Sequence, residues 1–577
     1  MVCRRYGDIE VLVPVDKKGI MTKDAGIFEG LHYTMANDKI IEYLQTTGFL
    51  LTTKKLSHSY PHCWRCKNPV IYRATTQWFA SIEDFRPKVL EEINNVNWIP
   101  SWGNERMTNM IKDRSDWCIS RQRVWGVPIP IFYCKDCGKE LITETTIQII
   151  KKKIEVSGSN MWYELTPEQI LQGQVTCSCG CKELVKETDI MDVWFDSGSS
   201  YSGVLKDKKY ALEVEQADMY LEGNDQYRGW FQSSMLTSVA TNGKAPYKEV
   251  LTHGWVVDGD GRKMSKSLKN GVDPLDIIKD YGADILRLWT VSADYHSDMR
   301  ISKDILAQVS EVYKKIRNTM RFLLGNLSDF NPVFDNVEYA NRDELDKYMM
   351  SKINRLIQYI DTEYENYNFH LVYSELHRFC TVELSSKYLD VIKDRLYVLK
   401  KDHKLRRSSQ STMYDILGIL VKLMSPILSF TSDEIWSYMW HTNNENKFSV
   451  LLSEFPTENI NYNEELLIEK WNKIFEIKEK LAKDIETARA NKLIGSPLDA
   501  RVEIYTSGYE YEFIKANIED IKLVLIVSQF ELQQSDEYKV IVDKAYGDKC
   551  DRCWTYSTEV GRDKSHRHLC KKCVENM

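Results

Sequence analysis

From about residue 300 onward, apolar positions recur at steps of three and four. Ile305, Val309, Val312, Ile316, Met320 and Leu323 form one such stripe, the core-facing side of a helix, and Gly325 is its predicted stop. Similar stripes pass through Leu371-Val372-Tyr373, Thr381 to Leu384, Ile416-Leu417 and Leu420-Val421, so this part reads as long helices. The earlier half has shorter runs. Ile9 to Pro14, Met219-Tyr220-Leu221 and Lys248 to Thr252 read as strands, the second as a buried one, and a helix is expected to begin at Gly229-Trp230-Phe231. Further on, a helix over Trp471 to Asn491 is followed by a break at Gly495-Ser496-Pro497-Leu498 and a β-rich segment from Ala500. The pattern predicts an α/β part followed by an all-α part.

Composition adds limits. The 577 residues suffice for several domains, and 43% hydrophobic with 28% charged residues is ordinary for a globular chain. No apolar run approaches the ~18 residues of a membrane span, and the first residues carry no signal-peptide pattern, so no membrane partner is expected. Net charge is −7, so any nucleic-acid binding must use local basic patches.

The 14 cysteines are mostly closely spaced, which in a reducing compartment favours zinc over disulfides. Cys550, Cys553, Cys570 and Cys573 form C-x₂-C-x₁₆-C-x₂-C, a structural zinc spacing. Arg562, Lys564, Arg567, Lys571 and Lys572 make that finger basic. Cys134 and Cys137 form one half of a second knuckle, in a stretch (131–187) that reads as an insertion too small for a core of its own. Its other half is two of Cys177, Cys179 and Cys181. Cys177 and Cys179 are favoured, because Gly180 then follows the last ligand as Gly138 follows Cys137. Cys63 and Cys66 make half a knuckle with no second half nearby.

Two stretches carry candidate chemistry. Lys263-Met264-Ser265-Lys266-Ser267 follows a strand and a loop containing Gly259 and Gly261. Lys263 and Lys266 are suited to grip a polyphosphate and stabilise charge on a leaving pyrophosphate. Lys/Ser-rich pentapeptides also occur in solvated loops, and this one alone does not decide. Glu222-Gly223-Asn224-Asp225-Gln226 stands at the carboxyl end of a predicted strand, where open α/β sheets bind ligands. Gly223 admits close backbone approach, Glu222 suits an α-ammonium, Asp225 and Gln226 suit an amino group or a ribose, and Trp230 suits an apolar wall. Helix caps and turn formers are the competing reading. Trp194 and Phe195 are equally suited to packing and to ligand contact.

The pentapeptide, with its His253-Gly254 lead and Asp273-Pro274 tail, resembles the second signature of class I aminoacyl-tRNA synthetases. Glu222 to Phe231 resembles the isoleucyl members of that class. So do His58 to Phe79, Asp116 to Pro130, Asp192 to Gly198, Asp284 to Trp289, Thr381 to Tyr397 and Leu423 to Trp436. The resemblance implies the second half of a doubly wound, Rossmann-like nucleotide-binding domain, a helical anticodon-binding bundle and a C-terminal zinc finger. Residues 1–75 would be a remnant of the editing insertion, 76–298 the catalytic half, 299–460 the anticodon-binding domain, 461–540 a junction and 541–577 the finger. It implies cytoplasmic ligation of isoleucine to tRNA(Ile) with ATP and Mg²⁺, by an enzyme monomeric at full length. His253, Gly254 and Lys266 would contact ATP. Glu222, Gly223, Asp225, Gln226 and Trp230 would hold the aminoacyl-adenylate. Arg121 and Arg123 would face tRNA or the cleft, with structural ion pairs as the competing reading, and Asp284 to Trp289 reads as packing, with Arg287 near the tRNA acceptor stem at best. Lys393, Arg395, Lys400 and Lys401 would offer phosphate contacts, although for any one of them a solvated helix face is the stronger reading. No His-Ile-Gly-His-type motif and no editing aspartate are found, so the resemblance implies a chain that begins inside the editing insertion, through a truncated gene, a partial gene model or a split enzyme with a separate N-terminal half, and that is inactive by itself. A non-catalytic tRNA-binding fragment and a valyl- or leucyl-type synthetase are the alternatives.

Overall fold

The computed structural model describes residues 11–63, 66–210, 214–265, 268–441 and 447–577. The chain divides into two compact units, Met1–Thr252 and His253–Met577. Among the described residues no helix is long and apolar enough to cross a membrane.

The first unit is built on α1 (Arg86–Asn94), β1 (Asn97–Ile99), α2 (Trp102–Lys112), β2 (Ala217–Gly223), α3 (Trp230–Asn242) and β3 (Tyr247–His253), whose last residue opens the second unit. The strands lie in the order β1-β3-β2. β1 and β3 are parallel, with Trp98 opposite Val250, and parallel neighbours need helical crossovers of this kind. The core gathers Val89, Ile93, Trp98, Met107, Tyr220, Tyr227, Phe231, Met235 and Tyr247.

Helix α3 buries every residue from Phe231 to Val239, four hydroxyl side chains among them. Thr237 is accommodated there by bonding backbone, donating to Gly198 O (2.8 Å) as well as to Ser233 O (3.0 Å). The short helix Val193–Gly198 approaches so closely that a Cβ on Gly198 would lie 2.8 Å from the Ser233 carbonyl.

Two expectations in this unit need correction. Among the described residues β2 is an edge strand, not a buried one: Tyr220 is buried but Leu221 is 54% exposed. Of Ile9 to Pro14, residues 9 and 10 lie outside the described residues, and 11–14 are not strand; Val11 and Leu12 face solvent. The cysteine-bearing insertion also differs. It has its own core of Phe132, Ile150, Met161, Trp162, Ile170 and Leu171, beside a three-stranded antiparallel sheet of Phe132–Cys134, Glu140–Leu141 and Leu184–Lys186.

The second unit is mainly helical: α4 (Lys303–Asn326), α5 (Glu344–Glu365), α6 (Lys404–Met424) and α7 (Glu465–Ala490) are its long members. The predicted stripe on α4 departs from the buried face at two positions. Leu306, Val309, Ile316, Met320 and Leu323 are buried, while Ile305 and Val312 are half-buried. Gly325 lies inside α4, which runs on to Asn326, so it is not the stop. Beyond α7, β4 (Ala500–Thr506) alternates buried and half-buried residues. It pairs in parallel with β5 (Gln529–Gln534) and antiparallel with β6 (Lys539–Lys544).

Candidate active site and metal centres

At the carboxyl end of β2, Glu222 is exposed and Gly223 is buried, leading into a single turn over Asn224–Arg228. Gln226 Oε1 accepts the Trp230 backbone N–H (3.0 Å) and its Nε2 donates to Asp225 (3.2 Å). The competing cap reading thus holds for one end of Gln226. Trp230 is fixed on three sides: its ring stacks on Tyr220 at 3.9 Å, and its Nε1 donates to Ser197 O (3.0 Å) and Ser200 Oγ (3.1 Å). Gly229 permits the turn, because a Cβ there would meet Gln226 Oε1 at 2.5 Å and the Trp194 ring at 2.9 Å.

Beside this turn lies a cavity of about 260 Å³, lined by Arg114, Trp117, Arg121, Asp192, Trp194 and Gly229 among others. Asp192 is buried, accepts the Trp117 indole N–H (3.0 Å) and pairs with Arg121 (2.9 Å). Burial, with the Asp192 charge adding to it, pushes the neighbouring Asp196 carboxyl up to about 6. Arg114 donates to Gln232 (2.6 Å). The sequence reading missed Arg114 and Gln232, which no motif or period marks.

The signature loop belongs to the second unit. His253 Nδ1 lies 2.7 Å from Gly254 O, and Gly254 sits where a Cβ would be 2.3 Å from Ser297 O. Asp258 accepts from Arg262 N (2.8 Å), Arg262 Nε (2.9 Å) and Asn270 Nδ2 (2.9 Å). The Asn270 bond first, and then those from Arg262, hold its carboxyl down at about 2. Gly261, at φ +82°, makes the turn. The Lys263 ammonium rests 4.3 Å from the Trp255 ring centroid. Lys266 lies outside the described residues.

Both cysteine quartets are assembled. Cys134, Cys137, Cys177 and Cys179 form one and Cys550, Cys553, Cys570 and Cys573 the other, each with all its sulfurs within 4.8 Å of one another. The pairs Cys134–Cys179, Cys137–Cys177 and Cys553–Cys570 stand at 3.5, 3.6 and 3.7 Å. A tetrahedron with Zn–S bonds of ~2.3 Å has edges of about 3.8 Å, so four soft thiolates at this spacing fit zinc. Backbone N–H bonds, that of Cys137 foremost, draw Cys134 down to about 6. Burial opposes the same effect at Cys550, but N–H groups of Cys553 and Cys570 outweigh it and again give about 6. Cys181 stays outside its quartet and points to Glu183 O (3.5 Å). At Cys63 and Cys66, no third metal-binding side chain gathers among the described residues.

Comparison with known proteins now bears on this geometry. Residues 7–302 match the model of "tRNA synthetases class I (I, L, M and V)". The chain belongs to this class I tRNA synthetase family. Residues 346–504 match the "Anticodon-binding domain of tRNA ligase", and 547–576 the "Zinc finger found in FPG and IleRS". Proteins named isoleucine–tRNA ligase are similar throughout. That of Caldanaerobacter subterraneus is 52% identical over 593 residues, 100% of this chain and 63% of the relative. That of Caldicellulosiruptor saccharolyticus is 54% identical over 579 residues, 100% and 62%. That of Desulfitobacterium hafniense is 48% identical over 587 residues, 99% and 63%. The chain spans about 63% of the length of the curated relatives it matches.

Of the cations of this synthetase-family chain that were offered as RNA contacts, some are committed internally and others sit in exposed surface ion pairs. Arg287 donates to Ile427 O (2.9 Å) and Pro426 O (2.7 Å). Arg395 is buried, and Lys393 pairs with Asp390 (2.8 Å). Lys572 pairs with Asp394, and Arg562 with Glu559 (3.5 Å). Arg552 bonds Val398 O (2.9 Å), fixing the finger on the helix Asp390–Val398. Arg123, Lys400, Lys401, Lys564, Arg567 and Lys571 remain exposed.

Proposed function

We propose that this chain works as part of a cytoplasmic isoleucine–tRNA ligase, which forms isoleucyl-adenylate and passes the aminoacyl group to the 3′-terminal adenosine of tRNA(Ile). The observation that carries this is the similarity of the whole chain, at 52% and 54% identity, to proteins of that name. An isoleucine carboxylate oxygen attacks the α-phosphorus of ATP, whose bond to the pyrophosphate oxygen breaks. No protein nucleophile is needed, only positioning and electrostatic stabilisation. Glu222 receives the α-ammonium. Asp225 and the Nε2 of Gln226 serve an amino group or the ribose, and Trp230 walls the aliphatic side chain. His253 and Gly254 meet the nucleotide, while Lys263 and Lys266 take the charge developing on pyrophosphate, with Mg²⁺ arriving on ATP. Residues 76–298 act as the catalytic half, 299–460 as the anticodon-binding domain and 461–540 as a junction. Residues 541–577 act as a zinc-held finger, and 1–75 as part of an editing insertion.

Isoleucine-dependent ATP–pyrophosphate exchange by the protein at its native length tests this. Exchange that requires isoleucine supports the reading. Exchange driven better by leucine or valine assigns another member of the class, and tRNA binding without any exchange leaves a binding module only.

A further inference from the structure

The signature loop has a clasp that the phosphate chemistry does not itself require. The amide of Asn270 reaches both sides of it. Its Oδ1 accepts the Ser265 backbone N–H at 2.9 Å, and its Nδ2 donates to Asp258 Oδ2 (2.9 Å) and to the Lys263 carbonyl (3.3 Å). Asp258 in turn grips the turn below through Arg262 N and Asp260 N (3.1 Å), and Val257 bridges Lys263. One side chain therefore ties the backbone on either side of Met264 to the turn that follows the strand.

Residue type and backbone both suit this task. Only an amide presents an acceptor to one N–H and donors to a carboxylate and a carbonyl at once. An aspartate there would set a second carboxylate against Asp258. Lys269, immediately before, is in the left-handed region at φ +51°, a conformation that a side-chain-bearing residue keeps only where its surroundings impose it. That turn aims Asn270 back into the loop.

We infer that Asn270 is a positioning residue for adenylate formation, holding the Lys263–Ser265 backbone in the pose from which the signature lysines meet ATP phosphates. The role rests on the reading proposed above. The bonds of the Asn270 amide go to the loop itself, at Ser265 N, Asp258 Oδ2 and Lys263 O. The side chain acts by removing alternative poses of the loop, so that cationic groups need no reorganisation as charge develops.

The test uses Asn270→Ala and Asn270→Asp with Lys266→Ala in parallel. In the full chain, tryptic cleavage after Arg262 and Lys263, mapped by mass spectrometry, should quicken about tenfold in both Asn270 variants as the backbone loses its bonds. In the native-length protein, kcat for pyrophosphate exchange should fall on the order of 10²-fold, the penalty of a small misplacement. KM for isoleucine should stay within about twofold, and the melting temperature and zinc content should not change. A residue that merely stabilised the fold would lower melting and affect both kinetic parameters. Unchanged cleavage, or exchange retained in Asn270→Ala while Lys266→Ala loses it, overturns this inference alone. No exchange by the wild type, or exchange insensitive to Lys266→Ala, removes the underlying reading and this role with it.

Discussion

The guanidinium of Arg395 stands 3.6 Å from the carboxylate of Asp346, a residue with no exposed surface. Tyr388 (2.6 Å), Ser408 (2.5 Å) and Ser409 (3.1 Å) also donate to that carboxylate, and Arg395 reaches Asp343 at 2.8 Å. Burial pushes the Asp346 carboxyl up, and the Arg395 charge opposes it. Removing one partner of a buried pair leaves the other uncompensated, at a cost of about 3–5 kcal/mol. Arg395→Met should lower stability by about that much, and adding Asp346→Leu should restore part of it. Urea denaturation followed by circular dichroism gives both values. A neutral single variant would show that Arg395 is not integral to the bundle.

Periodicity found the helices of the second unit, and the alternation from Ala500 found β4, because each buries one side against one core. It could not find the network around Asp346, whose members come from α5, α6 and the helical segments Phe379–Leu389 and Asp390–Val398 between them. Nor did it reveal how deeply α3 is buried, since serines and threonines break the apolar pattern, Ser233 and Thr237 turning their hydroxyls to backbone. The C-terminal cysteine quartet was legible from spacing; in the insertion spacing left three candidates for two places, and the parallel of Gly180 with Gly138 favoured the pair that the fold assembles. Arg395 was misread as a phosphate contact because sequence gives charge but not the carboxylates that use it.

Asp196 makes stability depend on pH. Its folded-state value, about 6, lies above the ordinary carboxylate range, so the folded chain binds this proton more tightly than the unfolded one. Stability should therefore fall as pH rises from about 4 to about 6, with the whole cost present at neutral pH. Asp196→Asn should remove that slope, melting higher than the wild type at pH 7 and level with it at pH 4. Parallel melting curves at all pH values would contradict the assignment.

Gly198 tests the contact between the helix Val193–Gly198 and α3. A methyl group there meets the Ser233 backbone at 2.8 Å. Gly198→Ala should cost about 1–3 kcal/mol, as overpacking does, and should alter the Trp194 and Trp230 environment seen in near-ultraviolet circular dichroism. A variant as stable as the wild type would place the two helices further apart.

Two zinc ions per chain are expected under reducing conditions. Cys179→Ser should release one and Cys181→Ser none, because only Cys179 stands in the quartet. Plasma emission analysis of the purified variants decides this, and loss of zinc in Cys181→Ser would exchange the ligands.

The most direct test of the account is pyrophosphate exchange by the native-length protein with isoleucine, valine and leucine in turn. We expect isoleucine to give the highest kcat/KM and Glu222→Gln to raise KM for isoleucine. One methylene limits the margin over valine to roughly 10–200-fold, a limit for which isoleucyl enzymes are themselves the usual illustration. Equal or greater exchange with valine or leucine would contradict the assignment of isoleucine.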